Sequence, residues 1–253
     1  MEFTIYGKQH SETLLLIHGA LVTQTMWKNQ VAFLENQFKV ITCNLPEHGG
    51  SSPLEGRYTV ESTADELHRV IGTVATDRLH LCGHSLGGMV AQYLAYKYPE
   101  VVKRLILVET AYSTKGNLVE KVGASLSEFA LRLMTKRQII ALTARNYGKM
   151  REATGSYITH EMSQYPKTTV LRVMSAALNY DGKQYLRQIV VPTLLVVGAE
   201  NKATHRQARE MNQLIPNAEL VFINQASHLA NLDNPNEFNH HLKRFISESH
   251  AHH

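Results

Sequence analysis

The sequence predicts an α/β fold, with a mostly parallel central sheet flanked by helices. Three observations predict it. The strand-like segments are short, near-continuous apolar runs, as in strands buried on both faces. Helix-like segments alternate with them, as parallel strands require. The alternation stops over 111–189, where only helical periodicity is found, and resumes at Pro192. An insertion of that kind between two sheet strands predicts a helical cap over the carboxyl ends of the strands. The expected division is a core of 1–110 and 190–253 with the cap between its parts.

Each element has its own warrant. Thr13 to Ile17 is a buried strand ended by His18-Gly19, and Met26 to Leu34 is a helix. Phe38 to Cys43 alternates and is rich in β-branched residues, which makes it a strand. Gly and Pro make 46–52 a loop. Val60 to Ile71 sets Ala64, Leu67 and Ile71 on one helical face. Leu79 to Cys82 is a strand, Gly88 to Tyr98 a helix closed by Pro99, and Val102 to Val108 the next strand. Inside the insertion, helices are expected at Leu118 to Met134, Arg137 to Met150 and Thr168 to Leu178. Pro192 to Val197 resumes the sheet, followed by a helix at Arg206 to Ile215. Glu219 to Ile223 is the last strand and Pro235 to Ile246 the last helix.

Composition narrows the function classes. A chain of 253 residues supports one sizeable core plus a subdomain. Its 43% hydrophobic and 19% charged content is that of a soluble globular protein. The net charge of +4 is modest and Lys and Arg are scattered, so nucleic acid is not an expected partner. No apolar run reaches the length of about 18 residues that a membrane span needs. The N-terminus lacks a basic stretch followed by an apolar one, so no signal peptide is expected, and residence is expected to be cytoplasmic. Cys43 and Cys82 lie in apolar strand-like segments and are expected as buried free thiols rather than a disulfide or zinc ligands. The tail Ser249-His-Ala-His-His253 is expected to be disordered and to bind nickel only adventitiously.

The chemistry is concentrated at Gly83-His84-Ser85-Leu86-Gly87, a G-x-S-x-G sequence between a strand-like and a helix-like run. A serine hydroxyl near neutral pH needs a base to take its proton and a third group to orient that base. A sharp strand-to-helix turn lifts the hydroxyl over the sheet edge, and Gly83 and Gly87 leave room for the turn. Ser85 is therefore the candidate nucleophile. His228 follows the last strand and precedes the last helix, so it can reach Ser85 from the same end of the sheet and is the candidate base. His84 is expected to pack and hydrogen-bond, and His18 to brace its loop. Backbone N–H groups of Ala20 and Leu86 are the candidate oxyanion donors.

With these residues in view, the chain resembles the α/β-hydrolase superfamily, in its branch of small cap-containing serine esterases and lactonases. The likeness rests on His18-Gly19 followed by Trp27, on Asn44-Leu45-Pro46-Glu47-His48-Gly49-Gly50-Ser51, on Gly83 to Gly88, on Val191-Pro192-Thr193-Leu194 to Gly198, and on Ser227-His228 before Pro235. It runs from about Thr13 to Ile246, and it implies Ser85 as nucleophile, His228 as base, and Ala20 and Leu86 as donors. Two departures stand out. Asn44 and Glu47 replace the usual Asp and Gly of the loop after the second strand, which reads as tuning. Gly198-Ala199-Glu200-Asn201 puts Asn201 where the family usually has its triad Asp. Three residues can fill the acid's role: Glu109 at a strand end, as in some relatives; Glu200, if the loop turns differently; or Asn201, holding the histidine without a charge.

The resemblance implies acyl-enzyme hydrolysis of a small, fairly apolar carboxylic ester, with no metal or organic cofactor. A lactonase or C–C bond hydrolase of the same fold is the alternative, and so is a ligand-binding or partner-binding protein with a degenerate triad. A small-molecule ester or lactone is the expected partner, and the protein is expected to be a monomer or homodimer. The stripe Leu118, Val119, Val122, Leu126, Phe129, Ala130, Leu133 and Met134 is expected to divide between packing on the core and lining a substrate pocket. Met150, Met162 and Met174 add adaptable surface, and Tyr147, Tyr157, Tyr165 and Tyr180 polar ends.

Overall fold

A computed structural model describes residues 1–75, 77–114, 118–148 and 151–248; within 118–125 only the backbone is described. The tail from Ser249, Met150, and the side chains of Leu118, Val119 and Val122 therefore lie outside the described residues. Among the described residues, seven strands form one sheet in the order β1-β3-β2-β4-β5-β6-β7. They are β1 (Phe3–Tyr6), β2 (Thr13–Ile17), β3 (Lys39–Cys43), β4 (Leu79–His84), β5 (Val102–Val108), β6 (Thr193–Gly198) and β7 (Ala218–Ile223). Only β1 runs antiparallel to its neighbour. That edge strand has no counterpart in the sequence reading, because its four half-exposed residues leave no buried run to recognise.

Alternation across the pleat explains the two cores. Leu14 and Leu16 point into one apolar cluster with Trp27, Phe238 and Leu242. Leu15 and Ile17 point into the other with Leu67, Val90 and Leu94. The helices on these faces are α1 (Lys28–Leu34), α2 (Val60–Val74) and α3 (Leu86–Lys97), then α8 (Lys202–Leu214), the short α9 (Ala230–Asp233) and α10 (Pro235–Ser247). On α2, Ala64, Leu67 and Ile71 are buried as their spacing requires, and Thr59 caps its N-terminus by accepting from Ser62 N–H. Cys43 and Cys82 are buried free thiols, and burial pushes the Cys43 thiol up to about 12.

Between β5 and β6 the chain forms the helical cap: α4 (Leu118–Leu133), α5 (Lys136–Gly148), α6 (Glu152–Ser163) and α7 (Lys167–Asn179). The sequence reading missed α6, whose polar residues and two-fold use of threonine hide its inward face of Thr154, Ile158 and Met162. It also misplaced the stripe of α4. Among its described members, Leu126, Phe129 and Leu133 are 64%, 61% and 72% exposed and do not border the cavity at Ser85, whereas Met134 packs on the core. The helix instead turns Leu131 inward, and its Glu128 receives hydrogen bonds from Ser175 (2.9 Å) and Asn179 (3.0 Å) of α7. Polar pairing with α7 thus sets the rotation of α4 against its apolar stripe. Among the described residues, no helix is long and apolar enough to cross a membrane.

The register brings the carboxyl ends of the central strands level. His84 pairs with Val108, Val108 with Val196, and Gly198 with Ile223. The residues that follow therefore stand side by side: Ser85 after β4, Glu109 after β5, the 199–201 turn after β6, and the His228 loop after β7. The sheet order also reverses between β2 and β4, and such switch points are where open α/β sheets bind ligands.

Candidate active site

Ser85 sits between β4 and α3 at φ 51°, the left-handed region that L side chains seldom enter. Its N–H donates to Val108 O (2.9 Å) and its carbonyl accepts from Thr110 Oγ1 (2.7 Å), so both sides of the peptide are tied to the end of β5. The two glycines have a steric reason. A Cβ at Gly83 would run into the backbone of Gly87, and one at Gly87 into the carbonyls of Ile17 and His18. Leu86 is the first residue of α3, where a backbone N–H has no carbonyl four residues back to bond.

A cavity of about 180 Å³ opens over this point. The core contributes Ser85, His228 and Ala20; the cap contributes Tyr147, Ile158, Met162 and Met174, from α5, α6 and α7. Ser85, His228 and Ala20 are thus brought to one cavity, with Leu86 adjoining. A wider groove of about 350 Å³ lies between α4 and α7. Two of its cations are already paired there, Arg132 with Glu128 (2.9 Å) and Arg172 with Glu47 (2.9 Å).

The loop after β2 is held by two neutral histidines. Leu45 N–H donates to His18 Nε2 (2.9 Å), leaving His18 Nδ1–H for Gly19 O (2.7 Å). Leu21, itself at φ 58°, donates its N–H to His48 Nε2 (3.0 Å), and His48 Nδ1–H reaches Pro46 O (2.9 Å). His84 Nε2–H donates to the carbonyl of His228 (2.6 Å), so the elbow and the histidine loop are joined directly. His84 and His18 therefore pack and brace as their positions suggested. The replacement at 47 also has a partner: Glu47 takes φ 66°, where the family loop has glycine, and ties to Arg172 on α7.

Burial holds His48 and His80 down to about 4 and His84 down to about 3, and His18 well below its ordinary value. The unfolded chain takes up these protons near pH 6.5, whereas the folded chain refuses them until much lower pH. Stability is therefore full above about pH 6.5 and falls as pH drops toward about 4. A series of thermal unfolding curves should show Tm level from about pH 8 to 7, then falling steeply below about 6. A Tm unchanged down to about pH 4.5 would contradict the neutral-histidine assignment.

Of the three candidate acids, one stands next to His228. Glu109, 2% exposed, presents Oε2 to His228 Nδ1 at 3.6 Å, within ion-pair reach and wider than a hydrogen bond. Catalytic hydrogen bonds are often this long before substrate binds. Its Oε1 accepts from Gly198 N–H, and its Oε2 from Asn201 Nδ2 (2.6 Å) and Thr204 Oγ1 (3.0 Å). Asn201 thus directs its amide to Glu109. Glu200 is exposed and lies 3.8 Å from Arg151. Glu109 also sits at φ 47°, a conformation that costs a glutamate about 1–3 kcal/mol.

Two cap contacts escaped the sequence. The Tyr147 ring stacks on His228, with centroids 4.4 Å apart and planes at 20°. Burial and the nearby Glu109 charge push its phenol up to about 12. Just beyond, Arg151 donates to Gln225 O and lies 3.5 Å from Asp233, whose carboxylate also accepts from Ser227 N–H (2.7 Å) and Thr154 Oγ1 (3.3 Å). No sequence pattern pointed to Asp233, which lies six residues from the Ser227 it holds.

Comparison with known proteins bears on the family and the fold. Residues 12–235 match the family model described as alpha/beta hydrolase fold. The chain is 23% identical to 3-oxoadipate enol-lactonase 2 of Acinetobacter baylyi, over 95% of this chain and 90% of that protein. The enol-lactonase structure from Burkholderia xenovorans superposes with a TM-score of 0.84 at 24% identity, covering 98% of this chain and 96% of the other. An esterase structure from Thermogutta terrifontis gives 0.83 at 24%, covering 97% and 92%. The chain belongs to the alpha/beta hydrolase fold family.

Proposed function

We propose that the protein is a serine hydrolase that cleaves a small, fairly apolar carboxylic ester through an acyl-enzyme. The observation that carries this reading is the buried Glu109 carboxylate facing His228 Nδ1 at 3.6 Å, beside a cavity that holds both His228 and Ser85. In this mechanism Ser85 Oγ attacks the ester carbonyl as His228 Nε2 takes its proton. The charge that develops on the carbonyl oxygen is met by the N–H groups of Ala20 and Leu86. Glu109 orients the imidazole and offsets its positive charge. The imidazolium protonates the leaving alcohol, and water activated by His228 then releases the acid and restores Ser85.

The cavity supports a small substrate. About 180 Å³ is close to the roughly 150 Å³ apolar cavity that accommodates benzene. Ile158, Met162 and Met174 favour an apolar group there. A lactone closes the same bond within a ring, and the enol-lactonase relatives favour it as the second reading.

Purified protein should hydrolyse p-nitrophenyl esters of short acids and form a covalent adduct with a fluorophosphonate probe at Ser85. Failure in both assays would overturn the reading. Hydrolysis of simple lactones well above that of the matched open-chain esters would favour the second one.

A further inference from the structure

We infer that Asn201 is a positioning residue that holds the Glu109 carboxylate toward His228, and that its amide is suited to this chain's placement of the acid on β5. The inference rests on Glu109 acting as the acid. Glu109 Oε2 faces His228 Nδ1, and Asn201 Nδ2 donates to that same oxygen at 2.6 Å. Thr204 Oγ1 adds a second donor at 3.0 Å and Gly198 N–H occupies the other oxygen. Asn201 is itself fixed, since its N–H donates to Gly198 O (3.1 Å) and its carbonyl accepts from Thr204 N–H (3.2 Å) and Oγ1 (3.0 Å). The 198–204 turn therefore closes around the carboxylate as a set of donors.

The residue type follows from the charge. Asn201 and Glu109 are each 2% exposed. Two carboxylates at this separation and burial cannot both ionise, so an acid at 201 would have to share a proton with Glu109. An apolar side chain would leave Glu109 Oε2 short of a donor where no water compensates cheaply. A neutral amide avoids both. It also acts where strain is stored, because Glu109 is held at φ 47°.

Asn201 touches the acid and does not border the cavity, so its effect should appear in turnover rather than binding. With rates normalised to fluorophosphonate-titratable sites, Asn201→Ala should lower kcat about 10–100-fold and leave KM within about two-fold. In a Glu109→Gln background the same substitution should change kcat by less than about two-fold, because residues acting through one another do not add. Thr204→Ala, a milder change, should show a smaller loss with the same silence in that background, and it serves if Asn201→Ala fails to fold. Unchanged kcat for both single variants, or losses that add fully to that of Glu109→Gln, would overturn the inference while leaving Glu109 as the acid. Full turnover in Glu109→Gln would instead remove the acid assignment and this inference with it.

Discussion

Ser85→Ala should abolish ester turnover, lowering kcat by about 10⁴-fold or more, and should eliminate fluorophosphonate labelling. The loss is this large because no other group in the cavity supplies a hydroxyl at the elbow. The fold should survive. Alanine at φ 51° is no more strained than serine there, and the bonds that fix the turn, to Val108 O and from Thr110 Oγ1, use the Ser85 backbone. The variant should therefore unfold at nearly the wild-type temperature. Ester turnover retained in a cleanly folded Ser85→Ala protein would assign the nucleophile elsewhere.

Glu109→Gln should lower kcat by about 10²–10⁴-fold with KM little changed. The amide nearly matches the carboxylate in size but cannot offset the charge that His228 gains as it takes the serine proton. It also presents a donor where Asn201, Thr204 and Gly198 all donate, so one of those contacts must be lost. Steady-state kinetics and the rate of probe labelling should fall together, because both depend on Ser85 being deprotonated. An unchanged rate would return the orienting role to Asn201 or Glu200.

Different parts of the molecule were legible to different degrees, for physical reasons. The elbow is a local object: a buried strand, a tight glycine-flanked turn and a helix start, all within about ten residues. His228 was placed by its position after the last apolar run. The neighbour of His228 was not fixed in this way. Glu109 and Asn201 lie on adjacent strand ends separated by the whole cap, and only the β5–β6 register shows that one holds the other. The cap was legible as helices but not as faces. Glu128 turns α4 toward α7 through hydrogen bonds that no hydrophobic period encodes. In α6 the residue that meets the histidine loop is Thr154, which reads in sequence as an ordinary polar position.

The contacts that Tyr147, Arg151 and Thr154 make with the His228 loop have a mechanical consequence. They join the His228 loop to α5 and α6 of the cap rather than to the core alone. The orientation of the His228 ring is thus shared between the sheet and the segment inserted between β5 and β6, so a change in the cap can reach the elbow without touching it.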